Sequence, residues 1–511
     1  MPRKYKEEDV SMKSSMMKCE DLDDDDECEK YEYEVEVSLS TAAPPETQRG
    51  LPTSVEEAAP AEDSVEEAAA AKEAAAAEEA AAAELKPLRK ASQPIYFDVE
   101  TLLASVESGA IAAVKGTWLV GLHKRSGRLS RRQDLPPEAC WSARELKRVA
   151  LALGDDFGVL FVALSYRWLT KEHPDPDGFH LGIVAQVAEL YLNLRGGEYK
   201  GSDHGPEHFP SQLTEAFRKH GKKLGKKLGR PDFALFWDFA SLHQPPRSEE
   251  QKHLFEEGLE NSNVWYGHAR TVVWMQSELP EDFAARMRAS EPPLAETYED
   301  SGWCYVEAAI SAAIKPGFLR LDLAKRTEQA MACAYGPVHP VQPGPPDANL
   351  ACVCARHRPP PPSPENVRLL LQKKRFTSSA DDSQVAALYA KFFDKVTKVD
   401  ELVFKGLEWG DDDVVELCKV LPHFEALTKL DLSGNKIGPE GASALGKVLK
   451  VKSELTDLNL LGNKIGAKGA NTIADALQSG MTKLTKLELS GITSARTISE
   501  LKKLVQVVRC L

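Results

Sequence analysis

The sequence predicts an α/β protein: a parallel sheet covered by helices, followed by a smaller arc of parallel repeats. Three observations predict it. Between Val159 and Ile314, strand-like and helix-like segments alternate three times, a pattern that builds parallel sheets with right-handed crossovers. Near the end, two almost identical segments recur 28 residues apart, the mark of a repeat architecture. Residues 1–94 have the composition of a disordered leader without a fold of its own.

At 511 residues the chain is too long for one compact core, so two or three domains are expected. Net charge is −14, and the leader carries it. Residues 1–90 hold 25 Asp and Glu against 11 Lys and Arg, leaving 53 of each sign in the other 421 residues. That balance argues against nucleic acid as the main partner. Nine scattered cysteines form no framework, which fits free thiols in a reducing compartment. Met1–Glu8 lacks the apolar core of a signal peptide, and no run of about 18 apolar residues is present. The expectation is a soluble, cytoplasmic protein with no membrane contact.

Taken in order, the leader holds the self-repelling run Asp23–Glu27 and, from Val55 to Leu85, little but alanine and glutamate. These favour a lone helix from about Ser64 to Leu85, read as a solvated spacer or, alternatively, an acidic partner-binding tail. Globular patterning starts near Pro94. Tyr96–Leu103 opens an apolar pattern, Gly116–Leu122 reads as a short strand or buried loop, and Trp141–Leu146 caps a helix running to about Leu153. Val159–Ser165 is a continuous apolar run, as a strand buried on both faces requires. His180–Leu194 has helical spacing. Phe233–Trp237 is a second strand, Glu249–Glu260 a second helix, Thr271–Met275 a third strand and Trp303–Ile314 a third helix.

Between the first helix and the second strand lies Arg218–Arg230, with seven Lys and Arg and no acid. It suits phosphates, an acidic surface or the chain's own leader; equally, it suits a solvated, mobile insertion whose glycines weaken any helix. Residues 336–366 are proline-rich and read as linker. Cys352, Cys354 and His357, with His339 and Cys333 nearby, match no standard zinc spacing, so no metal site is expected. The expected boundaries are a leader at 1–94, an α/β domain at 95–335, the linker, a helical segment at 367–396 that packs back on the central domain, and repeats at 397–511.

In the repeats, Leu427, Leu430, Leu432, Asn435 and Ile437 recur as Leu455, Leu458, Leu460, Asn463 and Ile465. A weaker copy starts at Leu484, with Ile492 in the asparagine's place; another precedes them at Val399, Leu402 and Phe404, with Leu407 there. Alternate apolar residues face inward from a short strand, and the asparagine side chain bonds the backbone where the chain leaves it. Gly441 and Gly469 mark the returning helix. The pattern is similar to the leucine-rich repeat of the ribonuclease-inhibitor type, in four copies with atypical ends. Such repeats make concave binding surfaces. Thr428, Lys429, Asp431, Thr456, Asp457 and Asn459, extended by Ser433, Thr485, Lys486 and Glu488, form a mixed polar strand face suited to a protein partner.

In a parallel sheet, ligands collect at the carboxyl ends of the strands, which directs attention to four blocks: Ala163–Trp168, Phe236–Gln244, Ala269–Met275 and Ser301–Glu307. In kind and order these blocks resemble the heterokaryon-incompatibility (HET) domain and its distant relative, the Toll/interleukin-receptor (TIR) domain, over about 160–315. The resemblance implies a flavodoxin-like sheet. From TIR domains that cleave NAD, it implies that Glu307 carries the reaction, with NAD as substrate and no bound cofactor. Breaking the nicotinamide–ribose bond builds positive charge on the sugar, which a fixed carboxylate in a water-poor cleft stabilises. Trp303 precedes Glu307 by one helical turn, so both share a helix face. Ser165, Tyr166 and Arg167 leave the first strand, and Asp238 and Gln244 the second, at the same edge. With Trp303 these are the candidate substrate-binding residues.

Structural roles stand beside these: Trp237 and Trp303 in a core, Asp238 as a loop cap, Glu307 as a surface acid at a helix start, and His173, Asp175 and Asp177 shaping a turn. No G-x-x-x-x-G-K-[ST] loop is present, which argues against a nucleotide-switched sensor. Two functions follow. One is a signalling or defence-type protein whose effector domain cleaves NAD and is coupled to a repeat module. The other is a non-catalytic adaptor that self-associates through its central domain and holds a protein on its repeats.

Overall fold

A computed structural model describes residues 95–192, 212–225, 228–291, 293–326, 354–376, 381–452, 454–478, 483–491 and 494–510. The expected leader with its spacer helix, and the expected linker up to residue 353, lie outside these residues. The central sheet has five strands: β1 (Val114–Lys115), β2 (Phe161–Tyr166), β3 (Ala234–Phe236), β4 (Val272–Gln276) and β5 (Arg320–Asp322), in the order β1-β3-β2-β4-β5. Ala163 of β2 faces Phe236 on one side and Val273 on the other, and β3, β2, β4 and β5 all run parallel. β1 closes one edge antiparallel, Val114 opposite Leu235. Every residue of β2 and β4 is buried, as their continuous apolar runs require. Because β3 and β4 flank β2 on opposite sides, the strand order reverses at β2, the position where open α/β sheets bind ligands.

Eleven helices of the described residues surround or follow this sheet: α1 (Val99–Glu107), α2 (Gly116–Lys124), α3 (Ala143–Ala152), α4 (Phe179–Tyr191), α5 (Gln212–Lys223), the one-turn α6 (Asp238–Ser241), α7 (Glu249–Gly267), α8 (Phe283–Arg288), α9 (Gly302–Ile314), α10 (Pro364–Leu371) and α11 (Asp381–Val396). Local chemistry starts several of them. Ser142 caps α3 by accepting from Glu145 N, and Ser248 with Gln251 forms a capping box on α7. Asp175 accepts from His180 N at 2.9 Å and Leu181 N at 2.8 Å, so the acid in the loop after β2 builds the start of α4.

The structure corrects three expectations. Gly116–Leu122 is not a strand or loop but the body of α2. Asp232, far away in the chain, accepts from Thr117 N at 3.0 Å and caps it. A Cβ on Gly116 would lie 2.1 Å from the Phe233 ring, so glycine lets this helix seat on the sheet edge. The basic stretch does form helix: α5 runs through Gly221 to Lys223. Leu213, Phe217 and His220 are buried, and tertiary packing of that face outweighs the cost of an interior glycine. Lys219 and His220 both meet Asp156, at 2.6 and 2.8 Å, so these basic residues are not a free patch. β1 and β5 were not anticipated, being too short to carry a period.

The second sheet is wholly parallel. β6 (Glu401–Val403), β7 (Lys429–Asp431), β8 (Asp457–Asn459), β9 (Lys486–Leu489) and β10 (Val507–Cys510) follow one another in chain order. They alternate with α12 (Asp411–Val420), α13 (Pro439–Leu449), α14 (Gly466–Gln478) and α15 (Ala495–Leu504). The asparagines do what their spacing requires. Asn435 Nδ2 donates to Phe404 O at 2.8 Å and Leu432 O at 2.9 Å, while its Oδ1 accepts from Leu407 N and Trp409 N. Asn463 repeats this between Leu432 O, Leu460 O and Ile437 N. Gly406, Gly434 and Gly462, each 28 residues on, sit at φ 65°, 68° and 72°, a turn that favours glycine. β10 adds a fifth strand that the sequence pattern missed. Ser433 and Glu488, expected to face solvent, are buried: Glu488 is held by Lys486 at 3.4 Å and Arg509 of β10 at 3.3 Å.

α11 lies between the two sheets. Phe392 meets Tyr96 at 5.0 Å between ring centroids, Phe393 meets Phe424 at 6.0 Å, and Asn263 Nδ2 donates to Leu388 O at 2.9 Å. One contiguous apolar core therefore runs from Tyr96 to Val505. Among the described residues no helix is long and apolar enough to cross a membrane.

Candidate functional site

A cavity of about 1060 Å³ opens at the carboxyl ends of β2 and β3, and its lining includes Tyr166, Arg167, Asp238, Gln244, Trp303 and Glu307. Ser165 lies behind it, fully buried, and reaches the cavity only through Glu307. Its hydroxyl donates to Glu307 Oε2 at 2.5 Å and shares a 2.6 Å bond with the Tyr298 hydroxyl. α9 brings Glu307 here because Gly302 lets its first turn fit. Gly302 N donates to Arg375 O at 3.1 Å, and a Cβ on it would lie 2.0 Å from the Phe376 ring. Glu307 is thus half-buried, not a surface acid at a helix start. Burial pushes its carboxyl up to about 8, opposed by the hydrogen bond from Ser165 and reinforced by the charge of Asp238. Tyr266 stands beside it, with its own hydroxyl donating to Leu164 O at 2.9 Å. Burial thus favours the protonated acid, held in a hydrogen-bonded nest.

Asp238 is engaged by the protein itself. Its Oδ1 accepts from the Tyr166 hydroxyl at 2.7 Å and Phe239 N at 2.6 Å, and its Oδ2 accepts from Trp168 Nε1 at 3.0 Å. Burial raises its pKa, and these three bonds pull it back. It ties the residues after β2 to the turn after β3. Gln244 does similar work: its Nε2 donates to Leu242 O at 2.8 Å, and its backbone exchanges bonds with the Gln133 side chain at 2.6 and 3.1 Å. Trp303 donates from its indole N–H to Asp381 at 3.0 Å, which fixes its ring on the cavity wall. Arg167 is buried, with Nη1 on Trp168 O at 3.0 Å and its guanidinium 5.8 Å from the Phe283 ring centre. Its Nε is buried without a partner, and burial lowers its pKa.

Tyr266, Tyr298, Phe376 and Asp381 carry no motif in the sequence; only the fold brings them to Glu307. His173 shapes its turn, its Nδ1 accepting from Asp175 N at 2.9 Å. Among the described residues no group of three or more His, Cys, Asp and Glu is placed to bind a metal.

On the repeat sheet, Lys429 is exposed, and Thr428, Asp431, Thr456, Asp457 and Asn459 are half-buried. Several are partly committed within the repeat sheet, Asp431 and Asn459 to the turn of their own repeat and Thr456 to the preceding one. Asp431 Oδ1 accepts from Ser433 N at 2.8 Å, Asn459 Oδ1 from Leu461 N at 3.1 Å, and Thr456 donates to Thr428 O at 3.1 Å. Lys429 and Asp457 carry the charge this face offers.

Comparison with known proteins bears on this second unit. Residues 426–446 and 453–474 match the family described as Leucine Rich repeat. Among solved structures, leiomodin-1 actin-binding site 2 shares 20% identity over 24% of this chain and 79% of its own, with a TM-score of 0.22. No curated protein matches the chain in sequence. The C-terminal sheet therefore contains leucine-rich repeats, an architecture that serves as a protein-binding module.

Proposed function

We propose that the central α/β unit is a TIR/HET-like effector that cleaves NAD at the nicotinamide–ribose bond, coupled to the leucine-rich-repeat module in a signalling or defence-type protein. One observation carries the reading: Glu307 lines a cavity of about 1060 Å³ at the carboxyl ends of the parallel strands β2 and β3, held by Ser165 at 2.5 Å. In this reading the ionised Glu307 stabilises the sugar cation as nicotinamide leaves, and water then takes the anomeric carbon. Trp303 and Tyr166 line the cavity with Glu307. The test is incubation of the full chain with NAD, dilute and concentrated, with nicotinamide measured by chromatography. Release that disappears in Glu307→Gln supports the reading; NAD left intact at every concentration sinks it.

A second reading has its own observation. Burial raises the pKa of Glu307 against the opposing hydrogen bond from Ser165 and so favours its uncharged form, as in a structural acid. The protein is then a non-catalytic adaptor, self-associating through the central unit and holding a protein on the face around Lys429 and Asp457. A sedimentation experiment that finds only monomer, with a repeat face whose Lys429→Glu variant loses no partner, removes it.

A further inference from the structure

A second part of the cavity lining is made by three segments of which the effector reading uses only Gln244. Residues 128–134, 170–173 and 243–247 are pinned together: Arg131 Nη1 donates to Pro245 O at 3.0 Å, Gln133 Nε2 to Gln244 O at 2.6 Å, and His173 Nε2 shares a 2.9 Å bond with Leu129 O. The result sets Arg128, Arg131, Lys171 and Arg247 on one cavity. The same three segments bring two acids to the lining, Asp134 and Glu172, while Asp238, Glu307 and Asp381 line it from other segments. Asp134 is taken by Arg131 at 2.5 Å. Among the described residues no carboxylate pairs with Arg128, Lys171 or Arg247. Arg247 is pre-set: its Nε donates to His243 O at 2.6 Å, and its guanidinium lies 3.6 Å from the Phe255 ring centre. That leaves its outer N–H groups for a ligand.

Unpaired cations on a concave wall concentrate anions, and an arginine fork matches a phosphate in geometry as well as charge. We propose that this wall is a phosphate subsite, and that the cavity takes a phosphorylated nucleotide, its phosphates on Arg128, Lys171 and Arg247 and its sugar toward Glu307. Only the placing of the sugar rests on the proposed NAD reading; the anion subsite stands on the wall itself.

The test is calorimetry on the full chain with ADP, adenosine and inorganic pyrophosphate. ADP is expected to bind at least tenfold more tightly than adenosine, and pyrophosphate to compete with ADP. In the double variant Arg128→Glu/Lys171→Glu, ADP binding is expected to weaken at least tenfold while adenosine binding holds. Both side chains are exposed, so an unchanged melting temperature checks the fold. Equal affinity for ADP and adenosine, failure of pyrophosphate to compete, or full ADP binding by the double variant overturns the subsite. NAD cleavage, read beside ADP binding, separates the two readings. Charge-dependent ADP binding without NAD cleavage by the unmodified chain keeps the subsite and sinks the NADase. NAD cleavage indifferent to the double variant keeps the NADase and sinks the subsite.

Discussion

Glu307 sets two opposite demands on one carboxyl. A carboxylate that stabilises a sugar cation must be ionised, whereas burial holds this one protonated up to about 8. If it acts as the anion, NAD cleavage rises by about tenfold per pH unit below that value and levels off above it; a pH–rate profile that falls over the same range assigns it the role of a proton donor instead. The same shift acts on stability. Folding favours the protonated form, so its contribution is present in full below the ordinary carboxyl value of 4.5 and is lost as pH rises through about 8. Glu307→Gln cannot titrate. Its melting temperature is therefore expected to gain on that of the unmodified chain by several degrees between pH 5 and pH 9, as read by calorimetric scans at each pH. Parallel curves for the two proteins would show that Glu307 titrates in the folded chain as it does in the unfolded one, with no raised pKa. Tyr266, Tyr298, Cys304 and Asp238 share the nest, and burial holds all four above their ordinary values; the charge of Glu307 adds to the rise at Tyr266, Tyr298 and Cys304, a part that Glu307→Gln removes.

Elements whose signals are local were legible, and those fixed from afar were not. β2, β3 and β4 announce themselves as apolar runs, and Asn435 and Asn463 as a repeat spacing, because the burial or bond that fixes each lies within its own segment or one repeat away. α2 was misread because its cap, Asp232, is 115 residues from Thr117. Glu307 and Trp303 are candidates through the family resemblance, and their spacing puts them on one helix; the partner that orients Trp303, Asp381, is 78 residues on. The cationic wall has no signature in the sequence because its members lie on three segments between residues 128 and 247. These differences are measurable. Asp232→Ala frees Thr117 N and Phe233 N from one buried carboxylate and is expected to cost about 2 kcal/mol in urea unfolding. Asn435→Ala strips four backbone groups of their partner in the middle of the repeat ladder and is expected to cost about 3 kcal/mol or more. A loss under about 1 kcal/mol would mean that water replaces the amide there.

The two sheets share more than a core, because α9 is held at both ends. At its start, Gly302 and Trp303 meet Arg375, Phe376 and Asp381 beside the cavity. At its end, Arg358 donates to the carbonyls of Ala312 at 2.6 Å and Ala313 at 2.8 Å, and by its other arm to Val403 O of β6 at 2.9 Å. The Arg358 guanidinium lies 4.5 Å from the Phe404 ring centre, and its own carbonyl accepts from Trp409 Nε1 at 2.7 Å. Arg320 and Lys315 crowd the same helix end, and burial lowers the pKa of all three, Arg358 to about 9. A cation at a helix C-terminus complements the dipole, but here it also locks the first repeat to the helix that carries Glu307. A partner that shifts the repeats would therefore pull on α9 directly. Arg358→Met keeps the apolar stem and removes every donor, leaving three carbonyls unpaired, a cost of about 3 kcal/mol or more. With the lock intact, urea unfolding is expected to follow one transition by both tryptophan fluorescence and circular dichroism. In Arg358→Met it is expected to split, the repeats melting first. One unsplit transition at the original midpoint would mean that α11, through Phe392 and Phe393, carries the coupling alone.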